Sequence, residues 1–117
     1  MTLGLTLRSL IRNSSPTIQL ERNQLRTGDW LLVDTLNSKY VIYSAGDGRY
    51  FVSGGWFDRE QISPCPTTIN GCTWGGSVIK PNTLAACGLR LEFGNRVVTT
   101  PIRAFRVLRT KGRQPVQ

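Results

Sequence analysis

"DWLLVDTLNSKYVIYSAGDGRYFVSG", residues 29–54, decides the fold. Three runs rich in aliphatic, β-branched and aromatic residues (29–35, 39–44 and 49–54) are separated by "LNSK" (36–39) and "AGDG" (45–48). Turn chemistry recurring about every ten residues between such runs describes an antiparallel meander of three strands. The strands are apolar on both faces. Trp30 and Leu32 point one way and Leu31 and Val33 the other, and Tyr40 and Ile42 oppose Val41 and Tyr43. A sheet with one wet face alternates cleanly, so this pattern demands a cover for the second face. The N-terminal segment, "GGWF" (54–57) and a partner subunit are the candidates.

Outward from the meander, "RTGD" (26–29) reads as a turn and "TIQL" (17–20) as a brief alternating strand. "TLGLTLRSLIR" (2–12) supports two periodicities, Leu3, Leu7, Leu10 and Ile11 at helical spacing and Leu3, Leu5 and Leu7 at strand alternation. A short helix over 5–12, stopped by "NSSP", is the favoured reading. Downstream, "LRLEF-GN-RVVTT" (89–100) has the form of a hairpin. Gly94-Asn95 would be a two-residue type II′ loop, setting Phe93 across from Arg96 and Leu91 across from Val98. "IRAFRVL" (102–108) reads as the last strand. The expected fold is mainly β: a single β-rich domain over 1–108, forming a small β-barrel or strongly bent antiparallel sheet of five to seven strands with one short N-terminal helix. A disordered basic tail is expected over 109–117.

At 117 residues the chain has room for one domain and one modest core. Its longest apolar runs, such as "WLLV" (30–33), fall far short of the roughly 20 residues of a membrane-spanning helix. The first sixteen residues lack a charged start, a continuous apolar stretch and a small-residue cleavage site. A cytoplasmic protein with no membrane role is therefore expected.

Cys65, Cys72 and Cys87 occur with no histidine. Three thiols cannot complete the four ligands of a structural zinc site, so no metal and no cofactor is implied. An odd count without a CxxC pair is a poor disulfide framework, although Cys72 and Cys87 could pair if the fold brought them together. Buried reduced thiols are the plainer reading.

"INGCTWGGSVIK" (69–80) invites comparison with a phosphate loop. Gly71 and Gly76 have the right spacing, but Ser77 follows where lysine should stand, and Lys80 comes too late. No strand-then-helix context surrounds the segment. Gly75-Gly76 suit a sharp corner or a close approach of two chains, with Trp74 laid over the core. Cys72, Ser77 and Ser53 have no histidine to act as base. Asp58 and Glu60 could share a face for acid–base work, but Arg59 between them makes a solvated ion-pair cluster the commoner explanation.

The net charge of +8 is concentrated at the ends: +3 over 1–26, zero over 27–100 and +5 over 101–117. A neutral body with basic ends suits an anion-binding arm or tail, although basic ends also simply keep small proteins soluble. Tyr40, Tyr43, Tyr50, Phe51, Trp56, Phe57 and Trp74 are more aromatics than one small core hides easily. Exposed beside arginines, they could stack bases, or they could form a protein–protein hot spot.

"NSKY" (37–40), "VSGGWF" (52–57), "GCTWGGSVI" (71–79) and "LEFGNRVVTTPI" (91–102) together resemble a group of small uncharacterised bacterial β-rich proteins. That group shares an Asn-Ser-x-Tyr turn, a glycine pair before an aromatic, a Thr-x-Gly-Gly-Ser segment and a closing hairpin. The resemblance spans residues 29–102. It implies a compact, mostly β, bacterial and cytoplasmic domain, and it carries no activity and no functional residue across.

These readings lead to a non-enzymatic binding module that contacts nucleic acid, RNA or a ribonucleoprotein, through its basic ends. Arg103, Arg106, Arg109, Lys111 and Arg113 would meet phosphates, helped by Arg8 and Arg12, with Trp56 or Trp74 stacking on bases. The alternative is a protein-interaction or self-assembling module, a homo-oligomer that buries the doubly apolar meander. A small enzyme using Asp58 and Glu60 ranks third.

Overall fold

The computed structural model describes residues 19–74 and 78–109. The expected helix at 5–12, Gly75-Gly76 and the segment from Thr110 onward lie outside these residues. Ten strands are described: β1 (Gln19–Glu21), β2 (Trp30–Thr35), β3 (Lys39–Gly46), β4 (Arg49–Gly54), β5 (Cys65–Thr67), β6 (Ile69–Thr73), β7 (Ile79–Lys80), β8 (Thr83–Ala86), β9 (Arg90–Phe93) and β10 (Ile102–Leu108). A single-turn helix, α1 (Gly55–Arg59), follows β4, and a short 3-10 turn occupies Arg22–Gln24.

The meander forms as its turn chemistry dictates. The Arg26–Asp29 turn is closed by Asp29 N–H donating to the Arg26 carbonyl, while the Arg26 N–H donates to Asp29 Oδ2 at 2.8 Å. Asp47 and Gly48, both at positive φ, link β3 to β4 as a two-residue loop whose twist matches its strands. β2, β3 and β4 pair antiparallel at the centre of a five-stranded sheet with order β10-β2-β3-β4-β5. The last strand thus returns to lie beside the first strand of the meander. β7-β6-β9 and β1-β8 form two smaller antiparallel sheets.

The fold is mainly β, as the sequence indicates, but the barrel is not realised. Among the described residues there are three separate antiparallel sheets and no closed barrel. The shortness of β1, β5, β7 and β9 explains the difference, because each pairing ends before a continuous ladder can close. No described helix is long and apolar enough to cross a membrane.

The core lies on one face of the large sheet. Leu31, Val33, Tyr40, Ile42, Tyr50 and Val52 are buried there, facing Leu84, Leu91, Phe93, Ile69 and Cys72. Phe57 from α1 is fully buried and meets Phe93 edge-on at 5.0 Å and Tyr40 at 6.4 Å. This aromatic cluster joins the large sheet, α1 and β9, and each such pair contributes about 0.5–1.5 kcal/mol beyond simple burial. "GGWF" therefore packs on the core side and does not cover the second face of the meander.

The closing hairpin differs from expectation by one residue. Arg96, at φ 73, joins Gly94 and Asn95 in a three-residue loop, with the Phe93 N–H donating to the Val97 carbonyl and the Phe93 carbonyl accepting from the Arg96 N–H. Glu92, not Leu91, stands opposite Val98. Gly94 itself is not at positive φ, which a type II′ turn requires. Its N–H is drawn to the Thr68 carbonyl at 2.7 Å, and the Asn95 side chain accepts from the Val97 N–H. Leu91 and Phe93 still face the core, where both are fully buried.

Candidate nucleic-acid interface

Strict alternation along β2, β3 and β4 buries one face and turns the other outward. Register then decides which outward residues meet. Trp30 pairs with Tyr43, and Tyr43 with Phe51, so three aromatics line up in one row across three strands. The Trp30 and Tyr43 rings lie 4.8 Å apart at 56°. Trp30 and Tyr43 are half-buried and Phe51 is 40% exposed.

Two further rows run beside this one. Leu32, Val41 and Ser53 form the next, joined by Arg106 of β10, and Asp34, Lys39 and Ala104 form the third. Arg49 stands two residues before Phe51 on β4, hence on the same face, and is exposed. A mostly apolar groove of about 390 Å³ lies here, with Leu32, Asp34, Lys39, Val41, Ala104 and Arg106 among its lining. Three cations and one carboxylate thus border an aromatic and aliphatic floor. Flat rings to lie against bases and guanidinium groups to meet phosphates are the two parts that single-strand binding needs.

The residues singled out from sequence are distributed differently. Arg106 belongs to this face. Arg103 is exposed at the irregularity between Ile102 and Ala104. Arg109 pairs with Asp29 at 3.2 Å and donates to the Gln24 carbonyl at 2.8 Å, so two of its N–H groups are engaged within the fold. Trp56 is half-buried, its ring edge-on to Phe57 at 5.2 Å, and packs against the core. Trp74 follows β6 and is 58% exposed, with Lys80 Nζ 5.6 Å from its ring centre, so it does not lie over the core as its sequence setting suggests. Arg8, Arg12, Lys111 and Arg113 lie outside the described residues.

In the sequence, alternation sets Trp30 and Tyr43 apart from their strand neighbours, but which face is outward, and the union of both with Phe51 in one row, depend on the fold and on the two hairpin registers. Without those registers, the exposed faces of three strands cannot be told from three scattered aromatics.

Of the other chemical candidates, Asp58 is engaged in local structure. Asp58 Oδ1 accepts from the Gly54 N–H at 2.9 Å and the Ser63 hydroxyl at 2.6 Å. These bonds hold its carboxyl below the usual range, that from Ser63 contributing most. Glu60 is exposed at the C-terminal cap of α1. All three cysteines are free, Cys72 buried and Cys87 exposed, so they form no disulfide. Burial pushes the Cys72 thiol up to about 11. No group of three or more potential metal ligands occurs among the described residues.

Fold and face together define a small mainly-β domain with an open, partly aromatic sheet surface bordered by cations. No family model matches the chain, and neither does any curated protein or solved structure.

Proposed function

We propose that this chain is a non-enzymatic module that binds single-stranded nucleic acid on the outer face of its five-stranded sheet. The observation that carries this reading is the row Trp30–Tyr43–Phe51, set by register on a face that also bears Arg49, Arg106 and Lys39. Unpaired bases have open π-faces for such a row, whereas a duplex hides them. The net charge of +8 draws the phosphate backbone toward this surface, with Arg103 and the basic residues of both ends adding to the attraction.

The test is fluorescence anisotropy of labelled mixed-sequence RNA and DNA, about ten nucleotides long, as single strands and as duplexes over a salt series. Single strands should bind more tightly than duplexes. The affinity should fall linearly on a log–log salt plot with a slope of about −2, as for three phosphates at about −0.7 each. Absence of binding to any single strand at about 50 mM salt would overturn the proposal.

A protein-interaction role is favoured by a different surface. Trp74, Val78 and Ile79 are 58%, 56% and 39% exposed on and beside β6 and β7. Tryptophan with aliphatic neighbours is a common composition of interface hot spots. Sedimentation of the full chain tests self-assembly: a concentration-dependent dimer that Trp74→Ala dissolves supports it, and a strict monomer removes it.

A further inference from the structure

We propose that the Asp34 end of the groove reads the Watson–Crick edge of one base and selects guanine. This rests on the single-strand reading above and extends it from binding to sequence preference. Asp34 lies on the outer face of β2, half-buried and lining the groove, with Lys39 opposite it on β3. Among the described residues its carboxylate has neither an ion-pair nor a hydrogen-bond partner. An ionised carboxylate only accepts hydrogen bonds, as phosphate does, so it repels the backbone of the ligand. Its complement in a nucleic acid is a cluster of N–H donors, and these occur on base edges.

Position decides which part of the strand reaches it. Rows on one face repeat every two residues, about 6.6–6.8 Å. Asp34 is two rows from Trp30, so its reach begins roughly 13 Å from the aromatic row. A strand stacked on Trp30, Tyr43 and Phe51 and continuing along β2 crosses Leu32 and Val41, then arrives at Asp34 and Lys39. Leu32 and Val41 offer the apolar contact that a base face needs. Arg106, opposite Leu32, stands where the connecting phosphate passes.

The bases differ in what they offer a carboxylate. Guanine presents N1–H and N2–H side by side, matching two carboxylate oxygens. Its O6, next to N1, is an acceptor for the Lys39 ammonium. Cytosine and adenine present an exocyclic amine beside a ring acceptor that faces the carboxylate unfavourably. Uracil presents one N–H flanked by two carbonyl oxygens. Two parallel hydrogen bonds against one or none is the condition under which a polar site discriminates strongly.

The experiment uses the full chain and labelled single strands of about ten uridines, unsubstituted or carrying one central guanosine or inosine. Inosine lacks only the N2 amine, which tests the reading without altering the protein. The guanosine strand should bind about tenfold tighter than oligouridine, and inosine should lose most of that gain. Asp34→Asn should abolish the preference and tighten oligouridine binding, because a repelling charge is removed. Equal affinity of the wild-type chain for all three strands overturns base reading while the single-strand proposal stands. Binding to none of them overturns the single-strand proposal, and base reading falls with it. A guanosine preference that survives in Asp34→Asn overturns the assignment to Asp34.

Discussion

Arg109 Nε donates to Asp29 Oδ2 across 3.2 Å, tying the residue after β10 to the residue before β2, 80 positions earlier. The same carboxylate oxygen accepts from the Arg26 N–H, and the other arm of Arg109 reaches the Gln24 carbonyl. One guanidinium thus fastens the end of the edge strand to the turn that launches the meander. Hydrogen bonds to charged groups are worth about 1.5–3 kcal/mol, and with Arg109 35% exposed the solvent-screened contribution falls to about 1 kcal/mol. Arg109→Ala should lower the urea midpoint accordingly. A chain cut after Arg109 retains the fastening and should keep its midpoint, whereas one cut before Arg109 should match the alanine variant. Removing the basic end to test phosphate contacts therefore needs the cut placed after Arg109.

Phe51 and Tyr43 carry the stacking proposal most directly. Base–aromatic stacking is worth about 1–3 kcal/mol per base, so Phe51→Ala and Tyr43→Ala should each weaken single-strand binding about 5- to 150-fold. Tyr43→Phe keeps the ring and should retain most of the affinity. Phe51 is 40% exposed, so its removal should cost the fold less than about 1 kcal/mol. Anisotropy and chemical denaturation on the same variants separate the two effects. An intact affinity in both alanine variants would move the site off this face.

The meander was legible because its signals are local. Alternation, "RTGD" and "AGDG" each act within a few residues, and β2, β3 and β4 form where they indicate. The hairpin after β9 slipped by one because a partner distant in sequence decided it. The Gly94 N–H is claimed by Thr68, which no reading of 89–100 alone could supply. The barrel failed for a related reason, since closure depends on how far short strands continue to pair, not on how many there are. For the site, period two separates the two faces of β2, β3 and β4 but, with both apolar, does not tell which is outward, and the alignment of Trp30, Tyr43 and Phe51 follows from two loop lengths taken together. Trp56 and Trp74 attracted notice as large aromatics in glycine-rich settings, and composition does not tell a ring edge-on to Phe57 from one left in solvent.

Cys72 predicts a pH dependence with a definite sign. Burial favours its neutral thiol and raises its folded value to about 11, from an ordinary value of 9.0. The stabilisation is complete below about pH 9. It is lost as pH rises toward 11, because the unfolded thiol ionises and the folded one resists. Urea midpoints should fall over that window, and less so in Cys72→Ala. At neutral pH, exposed Cys87 should react promptly with a thiol reagent, and Cys72 only as the chain unfolds.

In the glycine-rich stretch the structural weight falls on Gly71 and not on Trp74. Gly71 has φ +135 at the irregularity between β6 and β9, and a Cβ there would run into the Lys80 carbonyl oxygen and the Pro81 backbone. Neither neighbour is a flexible side-chain end that could move aside. Gly71→Ala should therefore cost about 2–4 kcal/mol, from backbone strain together with displacement of the strand that pairs beside it. Trp74, 58% exposed, loses little packing when truncated, so Trp74→Ala should stay within about 0.5 kcal/mol. Phe57→Ala, which empties the fully buried aromatic cluster, should cost about 3–5 kcal/mol. Denaturation midpoints of the three variants give the order directly. A Trp74→Ala loss as large as that of Phe57→Ala would mean that the indole is covered in the folded chain.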